Sequence, residues 1–280
     1  MTRRSVYTTV AGREMHHSEW GAKDAPPLIM WHGLARTGRD FDDIAAALAD
    51  TYRVICPDTI GRGLSQWSDD PDRAYCFAAY ARQALDFLDA LGIGQCRWVG
   101  TSMGGALGIA AGAGTLRDRI THLVLNDMGP TMPRAVFDRI AAYVGAPPAF
   151  GTMTELETYF RTIYRPFGAH TEAQWRRMAE TGMRRLPDGR ITTHYDPAIA
   201  RQFVLFPDDF EQWPAYDSLT MPALVLRGEA SDLLSPEVAR AMATRGPRAV
   251  IAEIAGCGHA PALNTAGQIE IVRTFLGSPA

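Results

Sequence analysis

The feature that most constrains the fold of this sequence is a repeated alternation of short apolar runs with amphipathic stretches. Residues 27–31 and 223–227 are runs of this kind, and a stretch with helical periodicity follows each of them. Buried strands that alternate with helices predict an α/β protein with a mostly parallel sheet flanked by helices. Residues 6–10 and 15–20 lie on either side of Gly12 and predict an antiparallel hairpin at the start of the chain.

Between residues 130 and 216 this alternation stops. The segment contains prolines, many arginines and many aromatic residues, and its periodicity is helical. We therefore predict a core in two parts, residues 1–129 and 217–280, with residues 130–216 inserted as a helical lid over the site. The alternative is a peripheral helical subdomain that does not touch the substrate.

Composition excludes several classes of function. The net charge of −3 gives no basic surface for nucleic acid or an anionic membrane. No run approaches the roughly 18 continuous apolar residues of a membrane helix. The four cysteines form no C-x-x-C pair, so neither a zinc site nor a disulfide framework is indicated. Two arginines near the N-terminus precede no apolar run, and we expect a cytoplasmic protein. Nothing in the sequence specifies an oligomeric state.

A candidate nucleophile lies in the sequence Gly100-Thr101-Ser102-Met103-Gly104, which matches G-x-S-x-G. In this motif the serine occupies a very sharp turn between a strand and a helix, and small residues two before and two after it prevent clashes. Here the motif follows an apolar strand and precedes an Ala- and Gly-rich helix. The context therefore favours Ser102 as a nucleophile, with Gly100 and Gly104 as the small flanking residues.

A candidate base follows the last predicted strand, in Cys257-Gly258-His259-Ala260-Pro261. Catalytic groups of open α/β sheets gather at the carboxyl ends of the strands. The chain order Ser–Asp–His also requires a histidine in this region. We therefore predict that His259 is the base.

Two backbone N–H groups are candidates for an oxyanion hole. The strand at residues 27–31 ends in His32-Gly33-Leu34, and the amides of Leu34 and Met103 can together stabilise a negative oxygen. Gly33 leaves room for a close approach of the substrate because it has no side chain. We interpret His32 as a structural histidine that orients this loop, since the site needs one base.

The acid that orients the histidine has two main candidates. Asp232 follows the strand at residues 223–227, and Asp127 follows the preceding strand. Either carboxylate can hold an imidazole in its working tautomer. Chain order favours Asp232, with Glu229 as a lesser rival and Asp127 as an anchor where the insertion begins.

Several motifs together carry a resemblance to a known family. They are WHG, Asp58-x-x-Gly61-Arg62-Gly63-x-Ser65, GTSMGG, LVLND-x-GP, LRGEASDLLSP and GCGHAP. With these motifs the chain resembles the α/β-hydrolase superfamily, which includes esterases, C–C hydrolases and cofactor-free haloperoxidases. The resemblance implies an α/β-hydrolase fold with Ser102 as nucleophile, His259 as base and Asp232 as acid. It also implies that Leu34 and Met103 are the oxyanion donors.

The function that we predict from the sequence is hydrolysis of a small or medium-sized carboxylic ester through an acyl-enzyme. This carboxylesterase-like chemistry needs no metal and no organic cofactor. One alternative is a C–C bond hydrolase that acts on a meta-cleavage-type keto acid. Such enzymes often have a tryptophan after the catalytic histidine, where this chain has Ala260. A second alternative is a hydrolase-fold receptor that binds a small ligand with little turnover.

Overall fold

The computed structural model describes residues 2–279, and its centre is an eight-stranded sheet. In chain order, the strands of the whole molecule are β1 (Arg4–Val10), β2 (Arg13–Trp20), β3 (Pro27–Trp31), β4 (Arg53–Pro57), β5 (Cys96–Thr101), β6 (Ile120–Asn126), β7 (Ala149–Phe150), β8 (Met183–Arg185), β9 (Ile191–Thr193), β10 (Ala223–Gly228) and β11 (Val250–Ile254). The large sheet has the order β1-β2-β4-β3-β5-β6-β10-β11. It is antiparallel between β1, β2 and β4 and parallel from β4 to β11.

Helices cover both faces of this sheet. In chain order they are α1 (Asp42–Leu48), α2 (Pro71–Ala74), α3 (Phe77–Ala90), α4 (Met103–Ala113), α5 (Arg134–Val144), α6 (Met153–Ile163), α7 (Glu172–Thr181), α8 (Gln202–Leu205), α9 (Trp213–Asp217), α10 (Pro236–Met242) and α11 (Ala266–Leu276). No helix within residues 2–279 has the length and apolar character needed to cross a membrane.

The alternation of side chains along the central strands explains the layered core. Ile29 and Trp31 of β3 belong to the cluster that contains α3 and α4. Leu28 and Met30 point the other way, into the cluster that contains α1 and α11. A strand that is buried on both faces appears in the sequence as a continuous apolar run, and β3 has the same bounds that the sequence predicted.

The segment between β6 and β10 interrupts the alternation of central strands and helices, and part of it packs on the main core. It contains α5 to α9, as the helical prediction requires, and also a small antiparallel sheet with the order β7-β9-β8, which the sequence did not predict. Its own apolar cluster centres on Leu156 and Phe160 of α6. We call residues 130–216 the insertion. Its role as a lid stays a prediction.

Candidate active site

Ser102 lies on the turn between β5 and α4, as its motif predicts. Its φ of 51° and ψ of −116° are strained for a residue with a side chain. Added Cβ atoms at Gly100 and Gly104 would clash with the carbonyl oxygens of Gly104 and Trp31, respectively. The two glycines therefore permit the tight crossing of strand and helix that exposes the serine. A Cβ on Gly33 would lie 3.7 Å from Ser102 Cβ, so its absence leaves room beside the hydroxyl.

Ser102, His259 and Asp127 form one continuous hydrogen-bonded array. The Ser102 hydroxyl lies 2.9 Å from His259 Nε2, and His259 Nδ1 lies 2.8 Å from Asp127 Oδ2. The Asp127 side chain is fully buried, whereas that of His259 is 19% exposed. In this arrangement a carboxylate can fix the imidazole tautomer, and the imidazole can accept the serine proton.

The partner of the histidine corrects the expectation for Asp232. Asp232 does not contact His259 but pairs with Arg139, with 2.6 Å between Oδ2 and Nη2. Asp127, the second candidate for the acid, has a backbone φ of 54°, and its carboxylate contacts the histidine. The physical reason lies in the loop after β10. The residue that this loop turns inward is Ser231, which donates a hydrogen bond of 2.6 Å to Asp127 Oδ2.

Two residues that the sequence reasoning missed hold this array together. The hydroxyl of Ser231 also accepts the amide of Leu234 at 3.0 Å, which fixes the loop against Asp127. Asn126 donates to Thr101 Oγ1 at 3.0 Å and to the Pro261 carbonyl at 2.8 Å, so it ties the end of β5 to the His259 loop. Both lie directly beside residues that had been considered as the acid, and that position is the signal that could have identified them.

The amides of Leu34 and Met103 are placed near the nucleophile by different elements. Met103 is the first residue of α4, whose N-terminal N–H groups and dipole favour a negative oxygen. Leu34 follows Gly33 in the loop after β3. Within residues 2–279 neither amide donates a hydrogen bond to a protein acceptor. Both amides therefore remain available to a ligand.

His32 has the structural role that the sequence predicts for it. The ring is fully buried; its Nδ1 donates to the Gly33 carbonyl at 2.7 Å, and its Nε2 accepts the amide of Thr59 at 2.9 Å. Burial lowers the pKa of His32 to about 4, so the ring is neutral at pH 7. It fixes the backbone that precedes Leu34.

The Arg62 side chain contacts both Leu34 and Met103, the two residues whose backbone amides are candidates for the oxyanion hole. This side chain is fully buried, and it donates to the Leu34 carbonyl at 3.0 Å and contacts Met103 Sδ at 3.5 Å. The guanidinium lies over the rings of Tyr75 and Tyr80, and it forms no ion pair with a carboxylate within residues 2–279. The turn that contains Arg62, one of the motifs of the family resemblance, therefore contacts both residues beside the nucleophile.

A cavity of about 540 Å³ opens onto Ser102 and His259. That volume is in the range of small-molecule sites. Its walls are mostly apolar and come from both the core and the insertion, including Leu34, Val136, Ile140, Tyr143, Tyr159, Ile163, Tyr164 and Phe167. Phe137 and Phe160, two other aromatic residues of the insertion, pack in the main core and in the insertion cluster, respectively. No group of His, Cys, Asp and Glu within residues 2–279 is arranged to hold a metal ion.

Comparison with known proteins agrees with the fold. The sequence model of the alpha/beta hydrolase family matches residues 28–269, which is most of the chain. The chain belongs to the alpha/beta hydrolase family and is a hydrolase of the α/β fold.

Particular relatives extend over nearly the whole chain. A 3-hydroxybutyrate-oligomer hydrolase from Cupriavidus necator is 37% identical and aligns with 93% of this chain and 92% of its own length. A 2-(acetamidomethylene)succinate hydrolase from Mesorhizobium japonicum is 26% identical, over 84% of this chain and 81% of its own. Among solved structures, an alpha/beta hydrolase from Novosphingobium aromaticivorans has a TM-score of 0.87 and 34% identity. That alignment covers 98% of both chains.

Proposed function

We propose that this chain is a serine carboxylesterase in which Ser102 is the nucleophile, His259 the general base and Asp127 the acid. The observation that carries the proposal is the continuous array of hydrogen bonds from Ser102 Oγ to Asp127, which opens onto the cavity. The strained turn at Ser102 and the two free amides beside it support the same chemistry.

The first half of the reaction forms an acyl-enzyme. His259 Nε2 takes the proton of Ser102 as the serine oxygen attacks the ester carbonyl carbon. The carbonyl oxygen becomes negative and accepts hydrogen bonds from the Leu34 and Met103 amides. The ester C–O bond then breaks, and the alcohol leaves with the proton from His259. The buried carboxylate of Asp127 stabilises the imidazolium between these two transfers.

The second half returns the enzyme to its starting state. His259 removes a proton from a water molecule, whose oxygen attacks the acyl carbon. The bond to Ser102 breaks, the serine recovers its proton from His259, and the carboxylic acid is released. Across both halves, one ester and one water give one acid and one alcohol.

The substrate class that we propose is a short ester of a hydroxy acid. The 37% identical relative is named for hydrolysis of 3-hydroxybutyrate oligomers. The cavity of about 540 Å³ has room for a compact substrate with short alkyl branches.

Steady-state kinetics with two kinds of substrate test this function. The wild type should cleave p-nitrophenyl butyrate and the 3-hydroxybutyrate dimer far faster than a meta-cleavage-type keto acid. Ser102→Ala should lower kcat on both esters by a factor on the order of 10⁶ because the covalent route is lost. Circular dichroism of the variant should match the wild type.

A different outcome would reassign the chemistry. Faster turnover of the keto acid would favour the C–C hydrolase, and a single slow turnover with retained ligand would favour a receptor. Ester cleavage that persists in folded Ser102→Ala would remove Ser102 from the mechanism.

A further inference from the structure

Two ion pairs line the wall of the cavity, and their arginine side chains differ in exposure to solvent. In the first, Arg36 is 5% exposed and donates through Nε and Nη2 to both oxygens of Asp40, at 2.8 and 2.6 Å. Its guanidinium also lies 4.5 Å from the ring centre of Tyr164. A buried, two-point pair of this kind is already satisfied and offers no binding capacity to a ligand.

The second pair is exposed to solvent. Arg139 of α5 meets Asp232 of the loop after β10, with 2.6 Å between Nη2 and Oδ2. The two side chains are 57% and 50% exposed. A guanidinium has five N–H donors in a fixed fork that matches a carboxylate. Since both groups already contact water, separating them costs little.

This exposed pair is connected to the reacting groups through Ser231. The hydroxyl of Ser231, the residue before Asp232, donates a hydrogen bond to Asp127, and Asp127 contacts His259. Arg139 and Asp232 line the same cavity as Ser102. A small substrate bound at Ser102 therefore shares one cavity with Arg139.

We propose that Arg139 binds a free carboxylate of the substrate and that Asp232 holds the guanidinium until the substrate arrives. The ligand class is an ester whose leaving alcohol is itself a hydroxy acid with an ionised carboxyl group. The exchange replaces one carboxylate by another, so the guanidinium never loses its counter-charge. Val136 and Ile140 of α5 add apolar contacts for an alkyl branch. This inference rests on the proposed function.

The experiment compares the 3-hydroxybutyrate dimer with the same dimer capped as its neutral carboxamide. The readout is the ratio of their kcat/KM values, acid over amide. Arg139→Met should lower this ratio about ten-fold, because a charge-assisted hydrogen bond is lost. Asp232→Asn should raise it several-fold, because a competing carboxylate is removed. In the wild type the ratio should fall as the salt concentration rises.

Arg134→Met is the matched control. Arg134 lies on the same helix, is 76% exposed, pairs with Asp138 and does not line the cavity. This variant should keep the wild-type ratio, which separates the local effect of Arg139 from a change in net charge.

The possible outcomes test the carboxylate site separately from the proposed esterase function. If both compounds are cleaved in a Ser102-dependent way but Arg139→Met leaves the ratio unmoved, the carboxylate site is refuted and the esterase function stands. A decrease of the ratio in Asp232→Asn would also refute it. Failure of the wild type to cleave any ester would overturn the proposed function and this inference together.

Discussion

At the scale of single residues, the backbone conformation explains which aspartate contacts His259. Asp127 and Ser102 both have a positive φ, and both are the first residue after a central strand. From these positions both side chains reach the imidazole of His259. Asp232 lies four residues beyond its strand, and its half-exposed side chain pairs with Arg139. Sequence spacing does not reveal this difference, because it depends on dihedral angles.

The first prediction contrasts the two aspartates. Asp127→Asn should lower kcat by about 10³–10⁴-fold, since an amide no longer fixes the imidazole tautomer or stabilises its positive charge. Asp232→Asn should change kcat on p-nitrophenyl butyrate by less than about ten-fold. Steady-state kinetics with both purified variants decide the matter. The opposite order would restore Asp232 as the acid.

The second prediction concerns His17, a fully buried histidine of β2. Within residues 2–279 both of its ring nitrogens lack a hydrogen-bond partner, and burial lowers its pKa to about 4. In the unfolded chain the pKa returns to near 6.5, so between these values the unfolded state holds more protons. Stability therefore falls as the pH drops from about 6.5 toward 4.

Replacement of His17 by leucine should weaken this pH dependence. The histidine should contribute about 2 kcal/mol of the stability lost between pH 7 and pH 5. His17→Leu should remove that share and stabilise the protein at pH 7, because two unsatisfied buried nitrogens disappear. Urea unfolding at the two pH values measures both effects. A variant with the wild-type slope against pH would show that His17 is not the titrating group.

At the scale of elements, the insertion supplies many of the residues that line the cavity. Tyr143 of α5 and Tyr159 of α6 line the cavity, whereas Phe137 packs against Phe203 with ring centres 4.9 Å apart. Phe160 is fully buried in the insertion's own cluster. The aromatic residues of the insertion therefore form two groups: those that line the cavity and those that pack in an apolar cluster.

The third prediction follows from this division. Tyr143→Ala and Tyr159→Ala should change the order in which esters of graded chain length are preferred by kcat/KM. One methylene contact is worth roughly 1–3 kcal/mol, so changes of ten-fold or more are expected. Phe160→Ala is the control, and it should lower stability by about 3–5 kcal/mol without reordering the esters. If the tyrosine variants keep the wild-type order, the insertion does not select substrates.

At the scale of the whole molecule, the sequence predicted the buried strands but did not predict the side-chain contacts between loops that are distant in the chain. The strands β3, β5, β6 and β10 were recognisable because burial on both faces makes them continuous apolar runs. Ser102 was recognisable as a candidate because it follows such a strand between two glycines, and His259 because it follows the last strand in a loop that contains Gly258. Strands of two or three residues, such as β7, are too short to show a periodic pattern of apolar residues. The contact between Asp127 and His259 joins loops 132 residues apart and leaves no local pattern.

The whole molecule also contains a second serine–histidine–aspartate array, which serves as an internal control. The Ser5 hydroxyl lies 2.8 Å from His16 Nε2, and His16 Nδ1 lies 2.8 Å from Asp58 Oδ2. Ser5 is exposed on the edge strand β1 and does not line the cavity of about 540 Å³. Hydrogen bonding alone therefore does not distinguish the two serines, whereas the cavity and the free amides do.

The most direct test of the central claim is peptide mapping after reaction with a fluorophosphonate probe. We expect one probe per chain, on the peptide that contains Ser102. We also expect no labelling in Ser102→Ala and greatly slowed labelling in Asp127→Asn. Labelling of Ser5 instead, or of any residue in folded Ser102→Ala at the wild-type rate, would contradict the assignment of Ser102 as the nucleophile.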